Sequence, residues 1–310
     1  MTRRAGWSLL EVPSLKGRRA LVTGSTQGIG FHVALALAGA GADVVMAGRM
    51  RDRIDTAVAA VKRAHPDARA SGELLDLARL ESVRTLGRRL RDGGQPLDLL
   101  VNNAGIMAPK ARRVTEDGFE AQFQVNHLGH FLLTALLLPL LRLAAAPRVT
   151  QVSSIAHRTG RVAFEDLQSA HAYSPMGAYA QSKLANLLFA FELQRRSDAN
   201  GWRLVSTAAH PGIARTHLVE NSRGKNDLFY FIKQLLGTWL TQSADAGALP
   251  VIYAAASADA RPMGYYGPAH LSEIKGPVAA ARVSTQARSA GDAERLWKIS
   301  AQLTNAPYPE

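Results

Sequence analysis

The chain has 310 residues, 47% hydrophobic and 20% charged, an ordinary globular composition that excludes disorder, collagen and coiled coil. Thirty-seven Lys and Arg against twenty-five Asp and Glu give a net charge of +12, but the excess is scattered arginine in pairs such as Arg88-Arg89, which reads as a solvated surface and not as a nucleic-acid-binding face. Cysteine is absent, which excludes disulfides, cysteine nucleophiles and thiolate zinc sites together.

The first residues carry Arg3-Arg4 without an apolar stretch behind them, because Glu11, Pro13 and Lys16 follow. The longest apolar run, Phe131 to Leu141, is broken by Pro139 and falls short of the about 20 residues that span a bilayer. The expectation is a soluble, cytoplasmic protein with no membrane span. Ala20-Leu21-Val22 then reads as a buried strand, and Gly28 to Ala40 as a helix, with Ile29, Val33 and Leu37 on one face. Val44-Val45-Met46 is a second strand and Asp52 to Ala64 a helix stopped by His65-Pro66. A third strand ends at Leu74-Leu75, a helix covers Arg79 to Arg91, and Leu99-Leu100-Val101 is a fourth strand. A long helical region runs roughly from Glu116 to Leu143, followed by a fifth strand at Val149 to Val152. Gly177 to Ser197 is helical and Leu204 to Ala208 is a sixth strand. The pattern loosens from Ile213 to Ser243, and Gly264 to His270 holds a last short strand. Strands alternating with helices, without repeat, linker or composition break, predict a single α/β domain over 1–310. Its core is a doubly wound parallel sheet with helices on both faces, and residues 1–17 form an N-terminal extension.

In such sheets ligands bind beyond the carboxyl ends of the strands, and the polar clusters lie there. After the first strand comes Thr23-Gly24-Ser25-Thr26-Gln27-Gly28-Ile29-Gly30. Its glycines permit a tight turn, and the helix behind it offers free N–H groups to a pyrophosphate, although an ordinary glycine-rich turn has the same look. After the second strand stands Arg49, where an NAD site has an acid to hold the ribose hydroxyls. An arginine there can pair with a 2′-phosphate, or simply be surface. Asp76-Leu77, Asn102-Asn103-Ala104-Gly105, Ser153-Ser154 and His210-Pro211-Gly212 follow the next strands, each weak alone.

Tyr179 and Lys183 are four apart on a helix and share a face, apart from the apolar stripe of Leu184, Leu187, Leu188 and Phe191. They are expected to face a cleft, with the ammonium lowering the tyrosine pKa from near 10. Most such pairs found at random are an ordinary Tyr and a solvated Lys, so the Ser pair upstream carries weight. No metal-binding histidine pattern accompanies them; His127, His130 and His157 read as packing or loop residues.

With these motifs the chain, from about Arg18 to about Ala256, resembles the short-chain dehydrogenase/reductase family. Asn126 to Phe131 and Ser182 to Asn186 are similar to its retinol-dehydrogenase and WW-domain-oxidoreductase-like group. The resemblance implies a Rossmann-type fold and interconversion of a ketone or aldehyde with an alcohol. It implies a catalytic set of Asn126, Ser154, Tyr179 and Lys183. Ser154 would hold the carbonyl oxygen, Tyr179 would pass the proton, Lys183 would hold the nicotinamide ribose and Asn126 would support a water relay. It implies cofactor contacts from Gly24, Ser25, Thr26, Gln27, Gly28, Ile29, Gly30, Arg49, Asp76, Leu77, Asn103, Ala104, Gly105, Pro211, Gly212 and Thr216, besides Tyr179 and Lys183. NADP(H) is expected over NAD(H), on Arg49. Relatives of this kind form homodimers or homotetramers through the helices at Glu116–Leu143 and Gly177–Ser197. The substrate is expected to be a bulky apolar small molecule, walled by the loop from Ile155 to Ala178. Segment 213–243, with Leu228, Phe229, Tyr230, Phe231, Leu235, Leu236, Trp239 and Leu240, is expected to cover it, the alternative being a small helix docked on the core or an oligomer contact. The competing reading is a regulatory protein that binds NADP(H) without turnover.

Overall fold

Seven parallel strands rise from the sequence rhythm: β1 (Arg19–Thr23), β2 (Asp43–Gly48), β3 (Ala70–Leu74), β4 (Leu99–Asn102), β5 (Arg148–Val152), β6 (Val205–Ala209) and β7 (Tyr265–His270). With β8 (Lys275–Ala280) they form one sheet in the order β3-β2-β1-β4-β5-β6-β7-β8, in which only β8 runs antiparallel. The computed structural model describes residues 6–213 and 241–309. Thr216 and the apolar side chains from Leu228 to Leu240 lie outside the described residues, as does most of segment 213–243.

The strands read as near-continuous apolar runs because both faces of the sheet are covered. On one face α1 (Gly28–Gly39), α2 (Arg51–Ala64) and α6 (Ala244–Ala256) enclose a core with Val33, Leu37, Val61, Val251 and Ile252. On the other, α3 (Leu80–Asp92), α4 (Ala121–Leu143) and α5 (Pro175–Asn200) bury Leu86, Phe131, Leu137, Phe189 and their neighbours. By length and apolarity α4 could span a membrane, but nearly all of it is buried within the fold. Strand order reverses between β1 and β4, which opens a crevice at their carboxyl ends.

Three elements lie outside the sequence expectation. Helix α6 is alanine-rich, contains Pro250 and is buried on most sides, so it shows no amphipathic period. Strand β8 contains Gly276 and Pro277, which an edge strand tolerates. Helix α7 (Ala290–Thr304) is capped by Ser289, whose hydroxyl accepts the Asp292 N–H. It packs on α5 and α4: Trp297 meets Phe131 edge-on at 5.0 Å, and Arg196 stacks over the Trp297 ring at 4.5 Å. The two helices expected to join copies of the chain thus bury aromatic side chains against its own C-terminal helix. Residues 6–17 of the N-terminal extension are also docked, with Leu15 buried and Trp7 edge-on to Tyr253 at 5.2 Å.

Helix α4 starts at Ala121, five residues later than expected. Asp117 turns away to accept the Leu80 N–H at the start of α3 (2.8 Å), and Glu120 caps α4 by accepting the Phe123 N–H (2.7 Å). Inside α4, Gln124–Leu128 widens into a π turn, a form that recurs at functional sites.

Candidate active site

A cleft of about 690 Å³ runs along the carboxyl ends of the strands. One end is the turn after β1. Gly24 has φ +63, and a Cβ there would stand 2.9 Å from Ala104 Cα, so the position is closed to other residues both by conformation and by space. Asn103 holds the turn from behind, donating from Nδ2 to Thr23 O at 2.8 Å. Gln27 opens α1 without a side-chain cap and the first turn has no acid, which leaves the first N–H groups for an anion. Thr26, Gln27, Gly28, Ile29 and Gly30 line this end. Ser25 is not among the lining residues: it is fully buried, and its Oγ has no hydrogen-bond partner among the described residues.

Gly48, Arg49, Asp76, Leu77, Asn103, Ala104, Gly105, Pro211 and Gly212 line the walls as expected from their places at the strand ends. Arg53, on the first turn of α2, joins Arg49 there. The sequence reading missed it; its place one helical turn past Arg49 was the available signal. Neither arginine has an ion pair among the described residues, whereas the neighbouring Arg51 pairs with Asp55 at 3.7 Å.

At the other end the cleft is lined by Ser154, Tyr179 and Lys183, with Ile106, Met107, Ile155, Met176, Ile213 and Ile274 as its apolar surface. Ser174 caps α5 and Pro175 starts it, which places Tyr179 and Lys183 on successive turns. Ser153 donates to the Lys183 carbonyl (2.7 Å) and locks that turn to the end of β5. Tyr179 and Lys183 are buried, because α5 is enclosed on nearly every side and not only along the leucine stripe. Burial sets their titration. The Tyr179 hydroxyl is pushed up to about 12 by desolvation, against the lowering effect of its hydrogen bond to Ser154. Lys183 is lowered to about 8 by the same burial. Its Nζ donates to Val152 O at 3.1 Å and lies 5.6 Å from the centre of the Tyr179 ring. The expected acidification of the tyrosine by the ammonium is therefore not found: the cation addresses the ring face, and desolvation outweighs it.

Asn126, in the π turn, is buried behind the cleft. Its Oδ1 accepts the Ile106 N–H (2.8 Å), and its Nδ2 donates to Ile106 O (3.0 Å) and to Ser182 Oγ (2.9 Å). The amide clamps the strand-four loop on which Gly105 and Ile106 face the ligand. A hydrogen-bond chain joins this clamp to the glycine turn. Thr23 Oγ1 accepts the N–H groups of Asn103 and Ala104 (2.9 and 3.0 Å), so its own proton goes to His130 Nε2 at 2.9 Å. His130 Nδ1 then donates to Asn126 O at 3.0 Å, and burial holds this neutral imidazole at about 4.

His157 is also neutral and fully buried. Its Nε2 receives the Ser284 N–H (3.4 Å) and its Nδ1 donates to Ser154 O (2.7 Å), which fixes the backbone that presents Ser154. No group of three or more His, Cys, Asp or Glu side chains suited to a metal ion occurs among the described residues.

The family model described as short chain dehydrogenase matches residues 18–227. Polyprenol dehydrogenase of Mus musculus is 42% identical over 299 residues, covering 95% of this chain and 86% of that protein. Retinol dehydrogenase 13 of Homo sapiens is 36% identical over 301 residues, covering 96% and 87%. Among solved structures, an uncharacterized protein from Mycobacterium paratuberculosis aligns over 99% of this chain and 100% of its own at 39% identity, with a TM-score of 0.81. A short chain dehydrogenase from Burkholderia cenocepacia in complex with NADP shares the fold at 24% identity and a TM-score of 0.59, over 78% of this chain and 92% of its own.

Proposed function

The chain is an oxidoreductase of the short-chain dehydrogenase family, and on that premise we propose that it interconverts an aldehyde or ketone with an alcohol on a bulky, largely apolar substrate, using NADP(H). The observation that carries this reading is the junction of two halves in one cleft: an anion-ready glycine turn at one end, and a buried tyrosine beside Ser154 and Lys183 at the other.

The residues fit a nicotinamide dinucleotide. The turn from Gly24 to Gly30 would take the pyrophosphate, Asp76 and Leu77 would flank the adenine end, and Lys183 would hold the nicotinamide ribose. Arg49 and Arg53 favour a 2′-phosphate over a free diol. When bound, the cofactor supplies the hydride in reduction and takes it up in oxidation. Ser154 holds the carbonyl oxygen and Tyr179 donates its proton to that oxygen. With its pKa near 12, the tyrosine is fully loaded as an acid at neutral pH. Asn126 acts through Ile106, keeping the loop wall in place.

The apolar end, with Met107, Met176 and Ile274, accommodates a hydrophobic body. Polyprenol and retinol, the substrates named for the relatives, are long isoprenoid alcohols, consistent with that lining. A regulatory protein without turnover would be expected to lack part of the set Asn126, Ser154, Tyr179 and Lys183, and all four are present. The test is consumption of NADPH with a panel of aldehydes and ketones of increasing apolar size. Turnover that improves with size and prefers NADPH is the expected result. Tight NADPH binding with no oxidation by any carbonyl would overturn the catalytic reading.

A further inference from the structure

Beside the proton-transfer set lies a buried charged cluster that the chemistry above does not use. Three segments bring it together: Arg158 from the turn after Ser154, His210 from the end of β6, and Glu273 from the turn between β7 and β8. Glu273 is buried and fully engaged. Its Oε1 accepts the Arg282 N–H (2.9 Å), and its Oε2 accepts from His210 Nε2 (2.9 Å) and forms an ion pair with Arg158 Nη2. His210 Nδ1 accepts the Gly212 N–H (3.1 Å), so its single proton sits on Nε2 and the imidazole is neutral. The charges in the cluster are therefore one cation and one anion.

The cluster is built into the substrate end of the cleft. Arg158, Ser272 and Ile274 line it. Arg158 is mostly buried, and its Nε has no hydrogen-bond partner. Leu271, Ser272 and Glu273 all have positive φ (51, 56 and 71), and none is glycine. Three successive left-handed residues persist only where their surroundings over-determine them. Here the determinants are the Glu273 bonds and the Ile213 N–H donating to Ile274 O at 3.0 Å.

We propose that Glu273 is a specificity-determining positioning residue: it cancels the charge of Arg158 in the cleft wall and holds the β7–β8 turn as part of that wall, so that the site takes uncharged apolar chains and rejects carboxylates. This rests on the carbonyl–alcohol reading of the cleft. Without the Glu273 carboxylate, the Arg158 cation in the cleft wall has no balancing charge and becomes a seat for an anion. The substitution Glu273→Gln preserves shape and one carbonyl acceptor, removes the charge, and turns the other acceptor oxygen into an NH2 group.

The experiment compares n-alkanals with ω-oxo carboxylates of the same length, across a range of chain lengths, in wild type and in Glu273→Gln, Arg158→Met and the double variant. Wild type is expected to prefer the neutral aldehyde. Glu273→Gln should shift the kcat/KM ratio towards the oxo acid by about tenfold or more at the length that reaches Arg158, through KM, with NADPH affinity unchanged. Arg158→Met leaves the carboxylate unbalanced and should shift the ratio the opposite way; the double variant should return near wild type. A general loss of structure would lower all substrates alike and show no reversal. A second arm, calorimetric titration of dodecanoate into the NADPH-saturated proteins, requires no turnover and should show tighter binding only in Glu273→Gln. Unchanged ratios and unchanged dodecanoate affinity in a folded Glu273→Gln protein would overturn the proposal. Failure of wild type to reduce any aldehyde would instead strike the functional reading, with the dodecanoate titration still deciding the role of Glu273.

Discussion

Replacing Arg49 and Arg53 by Ala removes two cations from the end of the cleft where a 2′-phosphate would sit, without touching any partner within the protein among the described residues. A hydrogen bond to a charged group contributes about 1.5–3 kcal/mol when shielded, but both arginines are exposed, so screening reduces each to about 1 kcal/mol. Each single variant should then bind NADPH roughly fivefold more weakly, and the double variant roughly thirtyfold, since about 1.4 kcal/mol is a factor of ten. NADH carries a free diol at the same place and should bind all four proteins alike. Fluorescence titration of both cofactors at two salt concentrations measures this. The NADPH affinity of wild type should fall with added salt, and that dependence should shrink in the double variant. Equal losses for both cofactors, or a wild-type preference for NADH, would refute the assignment of these residues.

Burial holds His127 at about 3 and His130 and His157 at about 4, against an ordinary value near 6.5. The unfolded chain thus binds more protons than the folded one below about pH 6.5, and stability falls as pH drops through that window. At pH 5 each histidine withdraws about 2 kcal/mol, so urea unfolding should show a loss of about 6 kcal/mol between pH 7 and pH 5; a constant unfolding free energy would contradict the burial of neutral imidazoles. Alcohol oxidation requires Tyr179 to accept a proton, and with its pKa near 12 the phenolate fraction grows with every step upward in pH. Initial rates should therefore show oxidation climbing from about pH 6 to about pH 9 while aldehyde reduction does not rise, and an oxidation rate independent of pH over that range would count against Tyr179 as the proton carrier.

The parallel sheet was legible because its central strands, such as β1, β2 and β4, are short apolar runs buried on both faces, and a helix such as α3 buries one apolar face with Leu80, Val83, Leu86 and Leu90. Helix α6 was not, because a helix buried on most sides loses the period that marks it. Helix α7 was within reach, since Ser289 caps it and Leu296 and Trp297 recur on its buried face. In the cleft, the glycine turn and the Tyr179/Lys183 pair are local spacings and could be read directly. Which turn residue lines the cleft is not a spacing, and the burial of Ser25 could not be read from it. Nor does a spacing report burial, which is why the tyrosine was expected to be acidified when desolvation drives it the other way. The pairing of Arg158 with Glu273 joins segments far apart in the chain, and only the fold brings them together.

The proposed mechanism turns on the Tyr179 hydroxyl passing the proton in an NADPH-dependent carbonyl reduction. Tyr179→Phe removes that hydroxyl while leaving the ring, Lys183 and the glycine turn in place. Single-turnover oxidation of bound NADPH by an apolar aldehyde, with NADPH affinity measured alongside, tests it most directly. The expected rate is lower by about 10²–10⁴-fold, with NADPH affinity nearly unchanged. A variant that keeps more than a few per cent of the wild-type rate would contradict it and assign the proton to another group.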